Sequence, residues 1–239
     1  MATPHVLVMS GYGINCETET AFAFQTAGAV ADIVHINDMI ADRSLLQRYQ
    51  ILVFPGGFSY GDDTGSGKAF ARRVQNHLWD EVRSFVEGDH LTLGVCNGFQ
   101  ILTHLGLLPA FDRTYGERIV ALVHNDSALY LDRWVDIAFQ GFSPWIRDIG
   151  TISLPIAHGE GKFYAPPEIL ERLRTEGHIA ARYVEGDICR YQHLSPNPNG
   201  SLDDIAGITD ASGKVLGMMP HPERAVAFTH LPHWPVLKE

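Results

Sequence analysis

The chain has 239 residues, 45% of them hydrophobic and 19% charged, and a net charge of −10 with Lys and Arg scattered, which disfavours a nucleic-acid-binding surface. A chain of this size buries about 70–75% of the surface its unfolded form exposes, enough for one large core without disulfides or metal. Cys16, Cys96 and Cys189 are odd in number and unpaired in spacing, and Met1 leads straight into a strand with no basic region before an apolar stretch, which predicts a soluble cytoplasmic protein with no signal peptide or membrane span.

Val6-Leu7-Val8-Met9 reads as a first strand, Glu17 to Ala27 as a helix closed by Gly28, Ala31 to Ile36 as a second strand and Ile51 to Phe54 as a third. Phe70, Val74, Leu78, Val82 and Val86 stand four apart, with Arg72, Arg73, Asp80 and Glu81 between them; this predicts one amphipathic helix closed by Gly88. Leu91 to Val95 is a short buried strand, and Phe99, Ile101, Leu102 and Leu105 recur at helical spacing before Gly106. Beyond it, strands are predicted at Ile119 to Val123, Trp134 to Phe139, Ile152 to Ala157, Ile179 to Val184, Ile205 to Thr209 and Val215 to Met219, with one clear helix from Pro167 to Glu176. Strand-helix alternation implies a parallel sheet. With no long linker, repeat or low-complexity stretch, residues 1–239 read as a single flavodoxin-like three-layer α/β domain. Its mostly parallel central sheet is flanked by helices and carries a smaller mixed or antiparallel portion.

Ligands of such sheets collect outside the carboxyl ends of the strands, and two motifs fall there. In Gly94-Val95-Cys96-Asn97-Gly98 a cysteine stands between a strand and a helix, with glycines relieving the crowding of a sharp elbow. Its sulfur faces a helix N-terminus, where unpaired amides and the helix dipole favour thiolate. In Pro220-His221-Pro222-Glu223-Arg224, residues two apart on extended backbone point the same way, so His221 and Glu223 enter one cleft as base and orienting acid. Pro55-Gly56-Gly57-Phe58-Ser59 ends the third strand, and one of its glycine amides, with that of Asn97, can donate to an oxyanion.

Other motifs carry less. Twelve histidines supply possible metal ligands, but no H-E-x-x-H, paired C-x-x-C or H-x-H spacing is present, so no metal is expected. Gly11-Tyr12-Gly13 follows a strand as a dinucleotide loop would, yet Cys16 takes the place of the third glycine. Gly65-Ser66-Gly67-Lys68 lacks the first phosphate-loop glycine, replaced by Asp62, and the final hydroxyl, replaced by Ala69. With no ATP site, the chain can release a group but cannot drive its attachment elsewhere.

Gly94 to Leu102, taken with Pro220 to Arg224, resembles the class I (triad) glutamine amidotransferases. Pro55-Gly56-Gly57-Phe58-Ser59-Tyr60-Gly61-Asp62, Ile156-Ala157-His158-Gly159-Glu160-Gly161 and Asn197-Pro198-Asn199-Gly200-Ser201 before Ile205-Ala206-Gly207-Ile208 narrow the resemblance to the glutaminase subunits of phosphoribosylformylglycinamidine synthase, in purine biosynthesis. The resemblance implies that Cys96 attacks the side-chain amide of L-glutamine, that the Gly57 and Asn97 amides hold the oxyanion, and that His221, oriented by Glu223, protonates departing ammonia. It implies substrate contacts from Gln100, Gly56 and His158, leaving open whether His158 and Glu160 line the cleft or face a partner. No cofactor is expected in this chain. ATP and magnesium belong to the synthetase subunit that receives the ammonia, which some members reach through a small bridging subunit.

Two segments depart from the family pattern. Ser10 to Glu17 replaces the shorter Gly-Ser-Asn-Cys-Asp, and Asp62-Asp63-Thr64-Gly65-Ser66-Gly67 differs from the usual Gly-Asp-Tyr run. Cys16 is read as structural. Two alternative readings are a free-standing cysteine hydrolase of a γ-glutamyl or peptide substrate, and a non-catalytic scaffold subunit.

Overall fold

The computed structural model describes residues 3–62 and 65–237. Met1 and Ala2 at the start, Asp63 and Thr64 of the departing loop, and the last two residues therefore lie outside the described residues.

The first half alternates: β1 (His5–Ser10), α1 (Glu17–Thr26), β2 (Val30–His35), α2 (Ile36–Ala41), β3 (Ile51–Phe54), α3 (Lys68–His77), α4 (Trp79–Glu87), β4 (Leu91–Val95) and α5 (Asn97–His104). The second half runs β5 (Ala121–Val123), β6 (Leu131–Phe139), β7 (Thr151–His158), β8 (Lys162–Tyr164), α6 (Pro167–Thr175), β9 (Ile179–Val184), α7 (Asp187–Gln192), β10 (Ile205–Thr209), β11 (Val215–Met218) and α8 (Trp234–Leu237).

Among the described residues, nine strands make one sheet in the order β2-β1-β3-β4-β11-β10-β9-β6-β7, and β5 with β8 makes a small second sheet. The first five strands of that order are parallel. Counted along the parallel block they run 2-1-3-4-5, the flavodoxin-like order. From β11 onward every pairing is antiparallel, so the mixed portion continues the same sheet. β3 and β11 are buried at every residue and read as continuous apolar runs, as strands covered on both faces must.

Several boundaries differ from the sequence reading. The stripe from Phe70 to Val86 forms two helices, α3 and α4, that meet at Leu78 (φ −136°, ψ 12°). Residues four apart drift by about 40° per step around a 3.6-residue helix. The break at Leu78 restores the apolar face, so Phe70, Val74, Val82 and Val86 all stay buried. Ile36, expected to close β2, opens α2, whose first turn is capped by His35 Nδ1 accepting from the Asn37 N–H at 3.2 Å. The strand expected from Ile119 shrinks to Ala121–Val123 and pairs with β8, which the periodicity does not reveal in three residues. The six-residue helices α2 and α7 are too short to leave a periodic pattern.

Candidate active site

The parallel register builds the centre of the site. β4 ends at Val95, and Cys96 turns into α5 with φ 51° and ψ −107°, a backbone state that costs of order 1–3 kcal/mol for a side-chain-bearing residue. Two features hold it there. Its N–H donates to the Met218 carbonyl at 2.8 Å, and Gly98 lets α5 lie against β3, where a Cβ would run into the Phe54 carbonyl oxygen. Cys96 is buried, its Sγ lying 3.6 Å from the Ala157 carbonyl oxygen. Asn97, the first residue of α5, carries one of the amides that a helix start leaves without an intrahelical partner.

β11 runs beside β4 with Met218 opposite Val95, so the chain leaving β11 emerges next to Cys96. Three residues on, the His221 N–H donates to the Pro155 carbonyl at 2.9 Å, fixing this segment against β7. His221 Nδ1 donates to Glu223 Oε1 at 2.5 Å, with both side chains buried. The other ring nitrogen, Nε2, is buried without a hydrogen-bond partner. Burial opposes charge on this imidazole, yet negative charge on the Cys96 sulfur and on Glu223 holds its pKa well above the ordinary histidine value. The pair is therefore poised as imidazolium and carboxylate.

Two loops close over this centre. The Asn15 and Cys16 amides donate to the Gly56 carbonyl at 3.3 and 3.2 Å, and the Phe58 amide donates to Gly13 at 2.8 Å. None of these bonds uses the N–H of Gly57. Gly57 sits at φ 151°, and a Cβ there would lie 2.7 Å from both the Gly13 carbonyl oxygen and Ile14 Cα, so this contact requires glycine. Gly56 packs against the triad: a Cβ on it would meet His221 Cε1 at 2.7 Å and Cys16 Sγ at 3.1 Å, so its lack of a side chain makes room for the imidazole.

A cleft of about 220 Å³ opens over Cys96, walled by Gly57, Gln100, Tyr130, His158 and Glu160. Both residues whose placement the sequence left open, His158 and Glu160, thus line the cleft. Gln100 is held at both ends of its amide: Oε1 accepts from Asn97 Nδ2 at 2.8 Å, and Nε2 donates to the Glu160 carbonyl at 2.6 Å. Asn125 organises the opposite wall. Its Nδ2 donates to the Leu129 and His158 carbonyls at 2.9 and 2.8 Å, while its Oδ1 accepts from the Gly161 amide at 3.2 Å and faces His158 Nδ1 at 3.1 Å. That network makes Nδ1 the protonated nitrogen and leaves Nε2 as a buried, unpartnered acceptor. Burial, reinforced by the positive charge of His221, pulls the His158 pKa down to about 4, so this second histidine is neutral. Glu160 Oε2 accepts from the Ser66 amide at 3.3 Å, and Oε1 lies 3.8 Å from His124 Nδ1.

Sequence reasoning missed two members of the site. Asn125 has no local signal, since the cleft residues it organises, His158 and Gly161, lie 33 and 36 residues downstream. Cys16, read as structural, places its sulfur against the triad: it donates to Asn15 Oδ1 at 3.3 Å and accepts from Arg224 Nη2 at 3.0 Å. Ligand atoms of Cys16, His221 and Glu223 lie within 4.8 Å of one another, a proximity that the absence of metal-ligand spacing did not foretell. The Arg224 guanidinium brings a positive charge to that sulfur, which opposes a cation there.

Comparison with known proteins places these features in context. The model of the CobB/CobQ-like glutamine amidotransferase domain matches residues 3–239. A Methanococcus maripaludis protein named phosphoribosylformylglycinamidine synthase subunit PurQ is 49% identical over 238 residues, covering 99% of this chain and 88% of the relative. A Dehalococcoides mccartyi protein of the same name is 40% identical, covering 100% of this chain and 93% of its own length. Among solved structures, that of PurLQS from Thermotoga maritima contains a chain that superposes with a TM-score of 0.75 at 31% identity, covering 98% of this chain and 94% of its own.

Proposed function

The chain belongs to the family of CobB/CobQ-like glutamine amidotransferase domains, and from that membership we propose that it is the glutaminase subunit of a phosphoribosylformylglycinamidine synthase. The observation that carries the chemistry is the elbow at Cys96, set at the end of β4 beside the His221–Glu223 pair that leaves β11.

Catalysis follows the order of a covalent acyl transfer. The Cys96 sulfur, its proton already resting on His221 Nε2, attacks the side-chain carbonyl carbon of L-glutamine as thiolate. Charge developing on the carbonyl oxygen is met by the amides of Gly57 and Asn97. The imidazolium, oriented by Glu223, returns the proton to the amide nitrogen, the C–N bond breaks, ammonia leaves and a glutamyl thioester remains on Cys96. Water then gives a proton to His221 as it attacks the thioester, and glutamate departs as the thiolate–imidazolium pair is restored. The neutral His158, with a free acceptor at Nε2, suits a donor group of the substrate, and Gln100 braces the cleft through Asn97 and Glu160.

In this reading the ammonia passes to an ATP-dependent synthetase subunit that makes formylglycinamidine ribonucleotide, and ATP and magnesium act there. Whether a small bridging subunit takes part rests on the departing loops at 10–17 and 62–67. Three free cysteines support a reducing compartment, the cytoplasm. Among the described residues no helix is long and apolar enough to cross a membrane. The test is glutamine hydrolysis with and without the synthetase subunit. Slow turnover alone and strong activation on mixing are expected, and full activity of the isolated chain contradicts delivery to a partner.

A further inference from the structure

A second, basic cavity adjoins the glutamine cleft. Residues 65–68 separate the two: Ser66 lines the cleft, while Lys68, the first residue of α3, lines a pocket of about 220 Å³ with Arg72, Gln75, His104 and Arg118. Lys68, Arg72 and Gln75 follow one another at spacings of four and three residues, so α3 presents them along one stripe. His104 closes α5, and Arg118 comes from the stretch that leads to β5. Gln75 ties the two helices together, accepting from Arg72 Nη1 at 2.9 Å and donating to the His104 carbonyl at 3.5 Å.

The lining carries three cations and no acid. Among the described residues no carboxylate makes an ion pair with Lys68, Arg72 or Arg118, although the chain as a whole has a net charge of −10. Like charges four apart on a helix repel, so Lys68 and Arg72 together weaken α3 unless a counter-charge joins them. The His104 ring registers the same field: burial, then the positive charge of Arg118, with Lys68 and Arg72 adding to it, pulls its pKa down to about 4. The ring is therefore neutral, held by a hydrogen bond to the Ser66 backbone. Guanidinium and ammonium groups converging from two segments suit a phosphate, whose oxygens accept from several donors at once. Drug-sized ligands occupy about 300–1,000 Å³, so the smaller volume here fits a phosphate with a compact body.

We propose that this pocket binds the phosphate group of a small phosphate ester between Lys68, Arg72 and Arg118, and that occupation tightens glutamine binding in the neighbouring cleft. The Gly65-Ser66-Gly67-Lys68 run, which fails as a nucleotide loop, thereby serves a phosphate through its lysine side chain. Coupling runs through the same four residues. The Ser66 amide donates to Glu160 Oε2 at 3.3 Å, and Gly67, at φ 76°, packs so closely on α5 that a Cβ would lie 2.9 Å from Gln100 Cβ. An anion that neutralises Lys68 and Arg72 steadies the start of α3, and with it both of these cleft contacts. The coupling half of the proposal rests on the glutaminase reading; the binding half does not.

The test titrates ribose 5-phosphate into the full chain by calorimetry, with ribose as the uncharged control and inorganic phosphate as the control for the body. One ester is expected to bind per chain, ribose not at all, and binding should weaken as salt rises. Arg118→Ala and Lys68→Ala, both at exposed positions, should each weaken binding by about tenfold or more. The His104 ring resonances should shift on binding in the unaltered chain. Glutamine hydrolysis by the complex then reads the coupling: KM is expected to fall about fivefold with ribose 5-phosphate present, and not in Arg118→Ala, which separates this pocket from any phosphate site on the synthetase. Absence of ester binding overturns the proposal, as does binding that both variants leave intact. Inorganic phosphate bound in place of the ester removes the ester as ligand, and a poly-glutamate peptide bound in place of both makes an acidic protein segment the occupant instead. An unchanged KM overturns the coupling, as does a rise in KM, which puts the ester in the glutamine cleft. Ester binding by a chain whose complex hydrolyses no glutamine would fail the glutaminase reading and leave the site standing.

Discussion

The two halves of the large sheet do different work. The parallel block, β2-β1-β3-β4-β11, gathers the reacting groups at its carboxyl ends: Cys96 after β4, Gly57 after β3, and His221 with Glu223 after β11. The antiparallel block, β10-β9-β6-β7, contributes walls: Ala157 and His158 at the end of β7, the Pro155 carbonyl that ties down His221, and Tyr130 just before β6. Parallel strands all end on one side, so several can aim at a single point. Antiparallel strands alternate direction and reach that point only through the ends that face it. Phe58 and Tyr130, ring centroids 6.0 Å apart, join the two halves over the cleft.

This division can be broken by substitution, because changes in the parallel block should lower kcat and changes in the antiparallel block should act on substrate binding and stability. Cys96→Ala carries the largest effect, a loss of about 10⁴-fold or more in glutamine hydrolysis by the complex, with secondary structure by circular dichroism unchanged. Glu223→Gln comes next. Its kcat should fall by about 10²–10⁴-fold with KM nearly constant, since the imidazole loses the charge that raises its pKa. Gly57→Ala should lower kcat by about 10²–10³-fold, because the new methyl group collides with the Gly13 carbonyl and moves the amide. On the other wall, Asn125→Ala should raise KM and cost about 1–3 kcal/mol in denaturant unfolding, as the Gly161 amide and His158 lose their partner. A kcat defect as large as that of Glu223→Gln would erase the distinction between the halves.

A pH experiment sharpens it further. His158 has its pKa lowered from 6.5 to about 4, so the unfolded chain takes up its proton before the folded one does. The stability this neutral histidine preserves is complete above pH 6.5 and is lost as pH falls toward 4, with a slope of up to about 1.4 kcal/mol per pH unit. His221 works in the opposite sense: its raised pKa stabilises the fold below 6.5, and that contribution fades as pH rises through the folded value. His158→Gln should therefore flatten the acid side of the stability curve, measured by urea titration between pH 7 and 4.5. An unchanged acid slope in that variant contradicts the neutral assignment.

The same two halves differ in how much the sequence discloses. In the parallel block, each strand end carries its own local signal: glycines around Cys96, a double glycine after β3, and His-Pro-Glu after β11. Those signals exist because a sharp turn, a close approach and a stiff extended exit each demand particular residues. In the antiparallel block the contacts join residues far apart in sequence, Asn125 to His158 among them, and no short pattern encodes them. Cys16 marks the boundary between the two cases. Its place before α1 was legible, but its contact with Arg224, 208 residues away, was not.

Cys16 also supplies the most direct challenge to the central claim, since its sulfur lies near the same imidazole as Cys96. Incubating the complex with a diazo-ketone analogue of glutamine and mapping the adduct by peptide mass spectrometry separates the two sulfurs. A single adduct on Cys96, absent from Cys96→Ala and prevented by excess glutamine, is the predicted result; an adduct on Cys16 or Cys189 in its place contradicts the assignment.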